Sequence, residues 1–312
     1  MKPYVLVTGG SGFIGCWVLR ELLERDAVPV VVDLVPAWDL WKELLGDRAE
    51  DVVWSDASLL DRDSMQSAIE HHEIAHVIHL AALLTPDCQE RPWDGCRVNV
   101  LGTTGVFDAA RRAGCVKAIS YASSRAVHGD EVRTDVSASQ APTFYGAFKL
   151  AADAIAAQYW RHFSLPSVAV RPHVVYGPLR ELGLTAGPSL AIKAAVMGND
   201  YSIGYRGEVT YDYVEDVARA LVRTAFECEG KATVVDLPGE SSSTEHFASL
   251  INALVSESAA GISVAGPVIP SNLLPSPHYI AELFPDWVAT RLEEGVNRTA
   301  DYYRRRRDRR NG

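Results

Sequence analysis

The chain has 312 residues, a length that predicts either one large domain with an appended lobe or two domains. Its residues are 47% hydrophobic and 22% charged, which is the ordinary composition of a soluble globular protein. Its formal net charge of −10 disfavours nonspecific binding to nucleic acid or to a membrane surface. Five cysteines without a C-x-x-C pair argue against a disulfide framework and a structural zinc site, so no metal is expected. The sequence shows no long apolar run and no signal-peptide pattern, so we expect a cytoplasmic protein without a membrane span.

Short apolar runs alternate with longer amphipathic stretches through the first half of the chain. The apolar runs that predict strands are residues 4–7, 28–33, 52–54, 75–82, 117–123 and 167–175. The stretches that predict helices are residues 13–25, 61–72, 93–113 and 143–162. Because the strands are continuously apolar and alternate with helices, the pattern predicts an α/β fold with a doubly wound parallel sheet covered on both faces.

The regular alternation stops after Gly177 and Pro178. Glycine and proline interrupt residues 179–207, later elements are shorter and mixed, and a helix predicted at 214–226 returns to the main body. We therefore predict a main domain of residues 1–178 with return elements near 209–236. Residues 179–208 and 237–303 are predicted to form a smaller substrate-binding lobe, and residues 304–312 a basic tail that is the solvated end of a helix.

A glycine-rich segment follows the first predicted strand and opens the first predicted helix. Gly9, Gly12 and Gly15 have the spacing Gly-x-x-Gly-x-x-Gly, and Gly10 adds the spacing Gly-x-Gly-x-x-Gly. Glycines in this context permit a tight turn and a close approach of the backbone to a pyrophosphate, which the helix N-terminus at Phe13 and Ile14 also favours. Alone, the motif is also compatible with an ordinary glycine turn.

Asp33 ends the second predicted strand, close to the spacing of about 20 residues at which a dinucleotide site carries an acidic residue. A carboxylate there accepts hydrogen bonds from the adenosine ribose and repels a 2′-phosphate, so NAD is expected rather than NADP; the alternative is a strand-end cap. Asp56, followed by Ala57, ends the third strand and is expected to contact the adenine or else to cap the loop. These features together predict a Rossmann-type dinucleotide-binding domain.

Tyr145 and Lys149 lie four residues apart at the start of a predicted helix, which places both side chains on one face. A nearby ammonium lowers the pKa of a tyrosine, and such a phenol can act as a base near neutral pH. Ser123 and Ser124 lie at the carboxyl end of an earlier strand, the edge where ligands of open α/β sheets bind. A hydroxyl there can orient the substrate oxygen.

These segments resemble the extended short-chain dehydrogenases/reductases, the NAD-dependent epimerase/dehydratase group, over nearly the whole chain. Further matching segments are Leu80-Ala81-Ala82, Asn99, Arg171-Pro172, Tyr176-Gly177-Pro178 and Leu292-Glu293-Glu294-Gly295 with Tyr302-Tyr303. The resemblance implies NAD as the cofactor, Ser124 as the catalytic hydroxyl with Ser123 beside it, Tyr145 as the acid/base, and Lys149 as the residue that holds the nicotinamide ribose and tunes Tyr145. It also implies cofactor contacts from residues 80–82 and His173, and a structural role for Asn99.

The chain departs from this family at positions that hold a nucleotide-sugar diphosphate. Val174 stands where those enzymes commonly carry asparagine, Val209 stands where they carry arginine, and residues 275–285 contain no arginine. A nucleotide-sugar substrate is therefore less expected than a small sugar or a sugar acid.

Basic residues occur instead at other positions near the predicted site. Arg125 follows Ser124, and Arg180 follows the sixth predicted strand. Either could bind a substrate carboxylate, and the alternative for Arg125 is a solvent-facing side chain. Thr85, after the fourth strand, is expected to line the substrate opening.

The leading functional prediction is an NAD-dependent oxidoreductase that transfers hydride from a secondary alcohol of a small sugar or sugar-acid-like substrate. An epimerase with tightly bound NAD, acting on a sugar or nucleotide sugar, is the alternative. A noncatalytic NAD-sensing protein is a lesser one, since it would be expected to lose Tyr145 or Lys149. Dehydration is disfavoured because Arg125 stands where dehydratases of the group usually carry an acidic pair. The resemblance also implies a homodimer formed through the helices 93–113 and 143–162.

Overall fold

The computed structural model describes residues 2–128, 141–228, 230–255, 261–269 and 279–311. Its strands are β1 (Tyr4–Thr8), β2 (Val28–Val32), β3 (Val53–Ser55), β4 (His76–His79), β5 (Ala118–Ala122), β6 (Ser167–Arg171), β7 (Val174–Tyr176), β8 (Tyr201–Ile203), β9 (Glu208–Tyr213), β10 (Ala232–Asp236), β11 (Glu240–Ser243) and β12 (Ile262–Val264). Its helices are α1 (Phe13–Glu24), α2 (Trp38–Leu45), α3 (Arg62–His71), α4 (Thr85–Glu90), α5 (Pro92–Cys96), α6 (Thr103–Ala113), α7 (Phe144–Phe163), α8 (Gly187–Val196), α9 (Val214–Glu227), α10 (Thr244–Leu254), α11 (Ile280–Leu283) and α12 (Leu292–Asn311).

Seven strands form the main sheet in the order β3-β2-β1-β4-β5-β6-β10. All neighbouring strands are parallel, with Thr8 of β1 paired to Val32 on one side and to His79 on the other. The order reverses direction beside β1, which is the topological switch point where such sheets bind ligands. The predicted α/β fold with a Rossmann-type sheet is confirmed.

Two apolar layers cover the faces of this sheet. Helices α1, α2 and α9 bury residues such as Leu19, Trp41 and Leu221 against one face. Helices α3, α6 and α7 bury residues such as Met65 and Phe107 against the other. Because both faces are covered, the strands carry Val, Ile and Leu on both sides, which explains their continuous apolar sequence.

The smaller lobe has its own core and two small sheets. The sheet β11-β9-β7 is mixed, and β12 pairs with β8 in parallel. Tyr176, Tyr211 and Phe247 pack together in this core, with ring centroids 4.6 to 6.2 Å apart. The strands β7 and β9, which lie in the ranges predicted for the main domain, belong to this small sheet, whereas β10 joins the main sheet and α9 packs on it.

The predicted single strand over residues 167–175 is wrong, because the structure divides it into β6 and β7 in different sheets. Pro172 lies between them and has no N–H to continue a sheet ladder. The break at Pro172 turns the chain from the main sheet into the lobe at the carboxyl edge. His173 therefore lies between the two bodies rather than within a strand.

The arginine-rich end of the chain continues as the last turns of α12. Arg306 forms an ion pair of 3.1 Å with Glu43 of α2, and Arg307 donates to the carbonyl of Val196. The segment predicted as a basic tail is thus helical through Asn311 and contacts the main domain and the lobe. Among the described residues, no helix combines the length and apolarity needed to cross a bilayer.

Candidate functional site

The glycine loop between β1 and α1 is packed so closely that side chains are excluded. Gly9 has φ of +75°, and a Cβ there would lie 2.7 Å from the backbone nitrogen of Ala81. A Cβ on Gly15 would collide with the carbonyl of Gly9. Gly12 is the N-cap of α1, and no described side chain caps the helix, so its first N–H groups at Phe13 and Ile14 suit a pyrophosphate.

Asp33 lies at the carboxyl end of β2, facing the glycine loop. Its carboxylate accepts hydrogen bonds from the backbone N–H groups of Ser11 at 3.0 Å and Leu34 at 2.7 Å. These bonds fix the orientation of the carboxylate, and the remaining lone pairs can accept from a ribose diol. The residues present therefore fit an adenosine ribose.

Asp56 is exposed beyond the end of β3, while the neighbouring Ala57 is buried. The backbone N–H of Ala57 is bound by Ser55 at 3.3 Å, and that of Ser58 by Ser64 at 3.1 Å. Serine hydroxyls thus perform the loop-capping role that was the alternative for Asp56.

Residues 80–82 follow β4 directly beside the glycine loop. The Oγ1 of Thr8 accepts hydrogen bonds from the backbone N–H groups of Leu80 and Ala81 at 3.2 and 3.3 Å. His79 contacts the same hydroxyl at 2.6 Å and Thr103 at 2.9 Å, and burial lowers the pKa of His79 to about 3. His79 is a neutral structural residue that holds the two strand ends in place.

Ser124, Tyr145 and Lys149 meet at the carboxyl end of β5. Ser124 follows this strand, and Tyr145 and Lys149 lie in the first turns of α7. The Ser124 hydroxyl lies close enough to the Tyr145 phenol to lower its pKa, and its oxygen also accepts a 3.1 Å hydrogen bond from the backbone N–H of Ala126. Lys149 Nζ lies 5.7 Å from the centroid of the Tyr145 ring and donates a 2.6 Å hydrogen bond to the carbonyl of Ala122. The three predicted catalytic side chains are thus brought together.

The electrostatics of this group differ from the expectation that Lys149 lowers the pKa of Tyr145. Burial raises the pKa of Tyr145 to about 12, opposed mainly by the hydrogen bond from Ser124 and then by the charge of Arg180. Burial lowers the pKa of Lys149 to about 8, because little solvent stabilises the ammonium. Desolvation, which the spacing of two residues does not reveal, is the largest influence on the pKa of each.

Ser123 was expected at the substrate, and this prediction is wrong. Its side chain is buried and donates a 3.1 Å hydrogen bond to Asp153. Asp153 also accepts from Tyr121 at 3.1 Å and from Arg171 at 2.5 Å. Because successive side chains alternate in direction along extended chain, Ser123 points into the protein when Ser124 points toward Tyr145.

Arg125 was also expected at the substrate, and the structure places it elsewhere. Its side chain is only 4% exposed, and its Nε lies 3.9 Å from a carboxylate oxygen of the buried Asp236. An internal carboxylate compensates the charge, so the solvent-facing alternative is wrong as well. This position removes Arg125 from the candidate substrate residues.

His173 lies between β6 and β7 with its ring fixed by the lobe. Its Nδ1 accepts a 3.1 Å hydrogen bond from the N–H of Thr210, and its own backbone N–H donates to Asp212 at 2.7 Å. Burial lowers the pKa of His173 to about 3 and raises the pKa of Asp212 to about 7. The imidazole is therefore neutral, as a ring that packs against nicotinamide should be.

Two further expected substrate residues, Thr85 and Arg180, lie in segments that follow strands β4 and β7. Thr85 begins α4 after β4. Arg180 lies in the loop after β7, where its guanidinium donates to Thr185 at 3.1 Å and stacks 5.5 Å from the Phe13 ring centroid. The charge of Arg180 acts on Tyr145.

Sequence reasoning missed one support of this site. Asp153 lies four residues after Lys149, so the helical spacing that paired Tyr145 with Lys149 could have identified it. Asn99, for which the resemblance implied a structural role, clamps the loop after β4 through two bonds to the backbone of Leu83, at 2.8 and 2.9 Å.

Comparisons with known proteins identify a family and similar folds. The model of the NAD dependent epimerase/dehydratase family matches residues 5–235. UDP-N-acetyl-alpha-D-glucosaminuronate decarboxylase from Bacillus cytotoxicus is 29% identical over 242 residues, 73% of this chain and 72% of that protein. UDP-glucose 4-epimerase from Mus musculus is 34% identical over 135 residues, 40% of this chain and 39% of that protein, so this match spans less than half of either.

Solved structures match over nearly the whole chain. The UDP-glucose 4-epimerase of Thermus thermophilus, in complex with NAD, has a TM-score of 0.76 at 25% identity and covers 96% of this chain and 99% of its own. The UDP-glucose 4-epimerase from Brucella ovis, at 24% identity and a TM-score of 0.76, covers 97% and 98% and shows the same fold.

Proposed function

The chain belongs to the NAD dependent epimerase/dehydratase family, an enzyme family with NAD as its cofactor, and we propose that it oxidises or reduces a secondary alcohol of a small sugar or sugar-acid-like substrate. The observation that carries this proposal is the convergence of Ser124, Tyr145 and Lys149 at the carboxyl end of β5, with the glycine loop at the same sheet edge. A noncatalytic NAD sensor has no use for this set of side chains.

The cofactor's place follows from the groups that surround it. The N-terminus of α1 with Gly12 would hold the pyrophosphate, and Asp33 the adenosine ribose. Asp56 with Ala57 would line the adenine, and residues 80–82 with His173 would line the nicotinamide. Lys149 would donate to the nicotinamide ribose. When bound, NAD supplies the hydride acceptor.

The protein's own residues move the proton. Ser124 orients the substrate hydroxyl by a hydrogen bond, and Tyr145 Oη takes the proton of that hydroxyl as the carbon loses hydride. The ammonium of Lys149 and the positive nicotinamide ring favour the phenolate, which offsets the pKa raised by burial. In the reverse direction Tyr145 returns the proton to the carbonyl oxygen.

The proposed substrate class rests on two positions where this chain lacks the polar or basic residue that nucleotide-sugar enzymes commonly carry. Val174 in β7 and Val209 in β9 are both buried in the lobe core, so neither can contact a diphosphate. A small sugar or sugar acid needs no such anchor.

A sugar or nucleotide-sugar epimerase is the second candidate. The match of the whole chain to a UDP-glucose 4-epimerase supports it, as does the relative that decarboxylates a UDP-linked glucosaminuronate. In an epimerase, hydride would return to the opposite face of the same carbon, and NAD would be regenerated in each turnover.

We also propose a homodimer. The helical segments of the expected interface carry large exposed apolar side chains, namely Trp93, Leu101, Phe144 and Leu150. Trp93 is 76% exposed, which is costly for a monomer and suits a residue covered by a second copy.

A substrate panel tests the proposed activity. The purified protein is incubated with NAD and matched sugars, sugar acids and nucleotide sugars, while the NADH absorbance band and the stereochemistry of the products are recorded. Net NADH formation with a sugar or sugar acid supports the dehydrogenase, and inversion without NADH supports the epimerase. Neither outcome with any member, in protein shown to bind NAD, would contradict the proposal.

A further inference from the structure

Arg180 differs from the other arginines beside the site in having no carboxylate partner among the described residues. Arg125 faces Asp236, and Arg171 binds Asp153. No acidic oxygen of the described residues lies within 4.0 Å of the Arg180 guanidinium, and its solvent-inaccessible Nε has no hydrogen-bond partner among them. A cation in this position is costly unless an anion joins it, and burial accordingly lowers the pKa of Arg180.

The guanidinium is held in place by neutral contacts. One N–H group donates to Thr185, and the guanidinium carbon lies 5.5 Å from the ring centroid of Phe13. A Cβ built on Gly183 would lie 3.3 Å from Nη2 of Arg180 and 3.4 Å from Leu84, so a side chain there would crowd both. These contacts leave other N–H groups of the Arg180 guanidinium available to donate to a planar anion such as a carboxylate.

Arg180 also faces the reacting group. Its charge lowers the pKa of Tyr145, and the phenols of Tyr145 and Tyr205 are the groups that act on it in return. Glu181, the next residue, points away and forms an exposed ion pair with Lys193 at 2.5 Å. Arg180 therefore lies beside Phe13 at the start of α1, and its charge acts on the Tyr145 phenol that moves the proton.

We propose that Arg180 binds an anionic group of the substrate close to the carbon that reacts, and so selects anionic substrates. This inference rests on the proposed hydride-transfer site and specifies its substrate class. A bidentate contact from the guanidinium holds the substrate in one orientation, with its carbinol directed at Tyr145. The anion is a carboxylate if the substrate is a sugar acid and a phosphate if it is a nucleotide sugar.

The test is anion binding to the NAD-loaded protein, measured by isothermal titration calorimetry with tartrate, inorganic phosphate and UDP. R180M removes the charge, R180K keeps the charge without the fork, and K193M is the matched control that removes a neighbouring surface cation. We expect the wild type and K193M to bind at least one probe alike, and R180M to bind it about 10- to 100-fold more weakly. R180K should lie between them.

The probes distinguish the sources of the anion. Loss of tartrate binding alone in R180M assigns a carboxylate, and loss of UDP or phosphate binding assigns a phosphate. Binding unchanged in R180M, or no binding of any probe to the wild type, overturns the proposal. So does a loss of NAD affinity in R180M with probe binding intact, because Arg180 would then hold the cofactor's pyrophosphate.

Turnover measurements distinguish a failure of the proposed anion site at Arg180 from a failure of the proposed hydride-transfer reaction. With a substrate pair from the panel, R180M should raise KM for the acid far more than KM for the neutral sugar. If no panel member is turned over although the probes bind through Arg180, the proposed reaction fails while the anion site stands.

Discussion

Lys149 donates a 2.6 Å hydrogen bond from its ammonium to the backbone carbonyl of Ala122, which ties helix α7 to the end of β5 two residues before Ser124. This bond holds the helix that carries Tyr145 against the strand that carries its partner hydroxyl. Lys149 is only 7% exposed, so its ammonium is held in the protein interior, and this burial lowers the free energy of unfolding.

The first prediction concerns the pH dependence of this cost. The pKa of Lys149 is about 8 in the folded protein, below its ordinary value of 10.5. The cost of the buried ammonium is therefore fully present below pH 8 and disappears as pH rises toward 10.5, because the unfolded chain then binds more protons. The free energy of unfolding of the wild type relative to K149M should rise by about 2 kcal/mol between about pH 7 and about pH 9.5, measured by urea denaturation. A difference that stays flat over this range would refute the shifted pKa.

The second prediction concerns cofactor choice. D33N keeps one of the two oxygens that accept from Ser11 and Leu34, replaces the other by an amide NH2 group, and removes the negative charge. The ratio of the Kd for NADP to that for NAD, measured by fluorescence titration, should fall about tenfold or more, since a charge-assisted bond to the ribose is lost and repulsion of a 2′-phosphate disappears. D56N is the control and should change both constants alike. An unchanged ratio in D33N would remove Asp33 from the ribose site.

The third prediction concerns the support beneath the catalytic helix. D153A leaves Arg171 buried without its partner and removes the acceptor of Ser123, so unfolding free energy should fall by about 3–5 kcal/mol. D63A breaks an exposed ion pair with Arg112 and should cost about 1 kcal/mol or less. Chemical denaturation measures both variants. Equal losses of unfolding free energy in the two variants would show that the hydrogen bonds of Asp153 contribute no more to stability than an exposed ion pair.

The fourth prediction concerns the homodimer. L101R places a charge among the exposed apolar side chains of the proposed interface, so the mass in solution should shift from dimer to monomer. The control is L182R, which changes an equally apolar residue that is 80% exposed in the lobe. Analytical ultracentrifugation of both variants decides the question. Dimers of unchanged stability in L101R would place the interface elsewhere.

Local features of the sequence were sufficient to predict the fold and NAD as the cofactor. The glycine loop, Asp33 and the strands carry their information in short segments, because a tight turn and a continuously apolar strand depend on neighbouring residues. The pairing of Tyr145 with Lys149 follows equally from helical periodicity. Helices α2 and α4 were not predicted, although Leu40, Trp41, Leu44 and Leu45 of α2 pack against the core at helical spacing and could have identified that helix.

Side-chain direction and desolvation could not be predicted in the same way. Ser123 and Arg125 flank Ser124, and only the three-dimensional arrangement shows that both turn inward to Asp153 and Asp236. The pKa of Tyr145 depends on how much solvent reaches the phenol, which distant segments decide. Arg180 was predicted from its charge, but its lack of a carboxylate partner among the described residues is visible only in the structure.

Comparison of Y145F with the wild type tests the account most directly. Hydride transfer is followed by NADH absorbance with the best substrate of the panel, or by stereochemical inversion if that substrate is epimerised. Removing the phenolic oxygen should lower kcat about 10²- to 10⁴-fold while NAD binds as before, because only the proton transfer is lost. Y159F, which changes a tyrosine further along the same helix that packs against Phe107, should retain wild-type activity. Full activity in Y145F would contradict the mechanism.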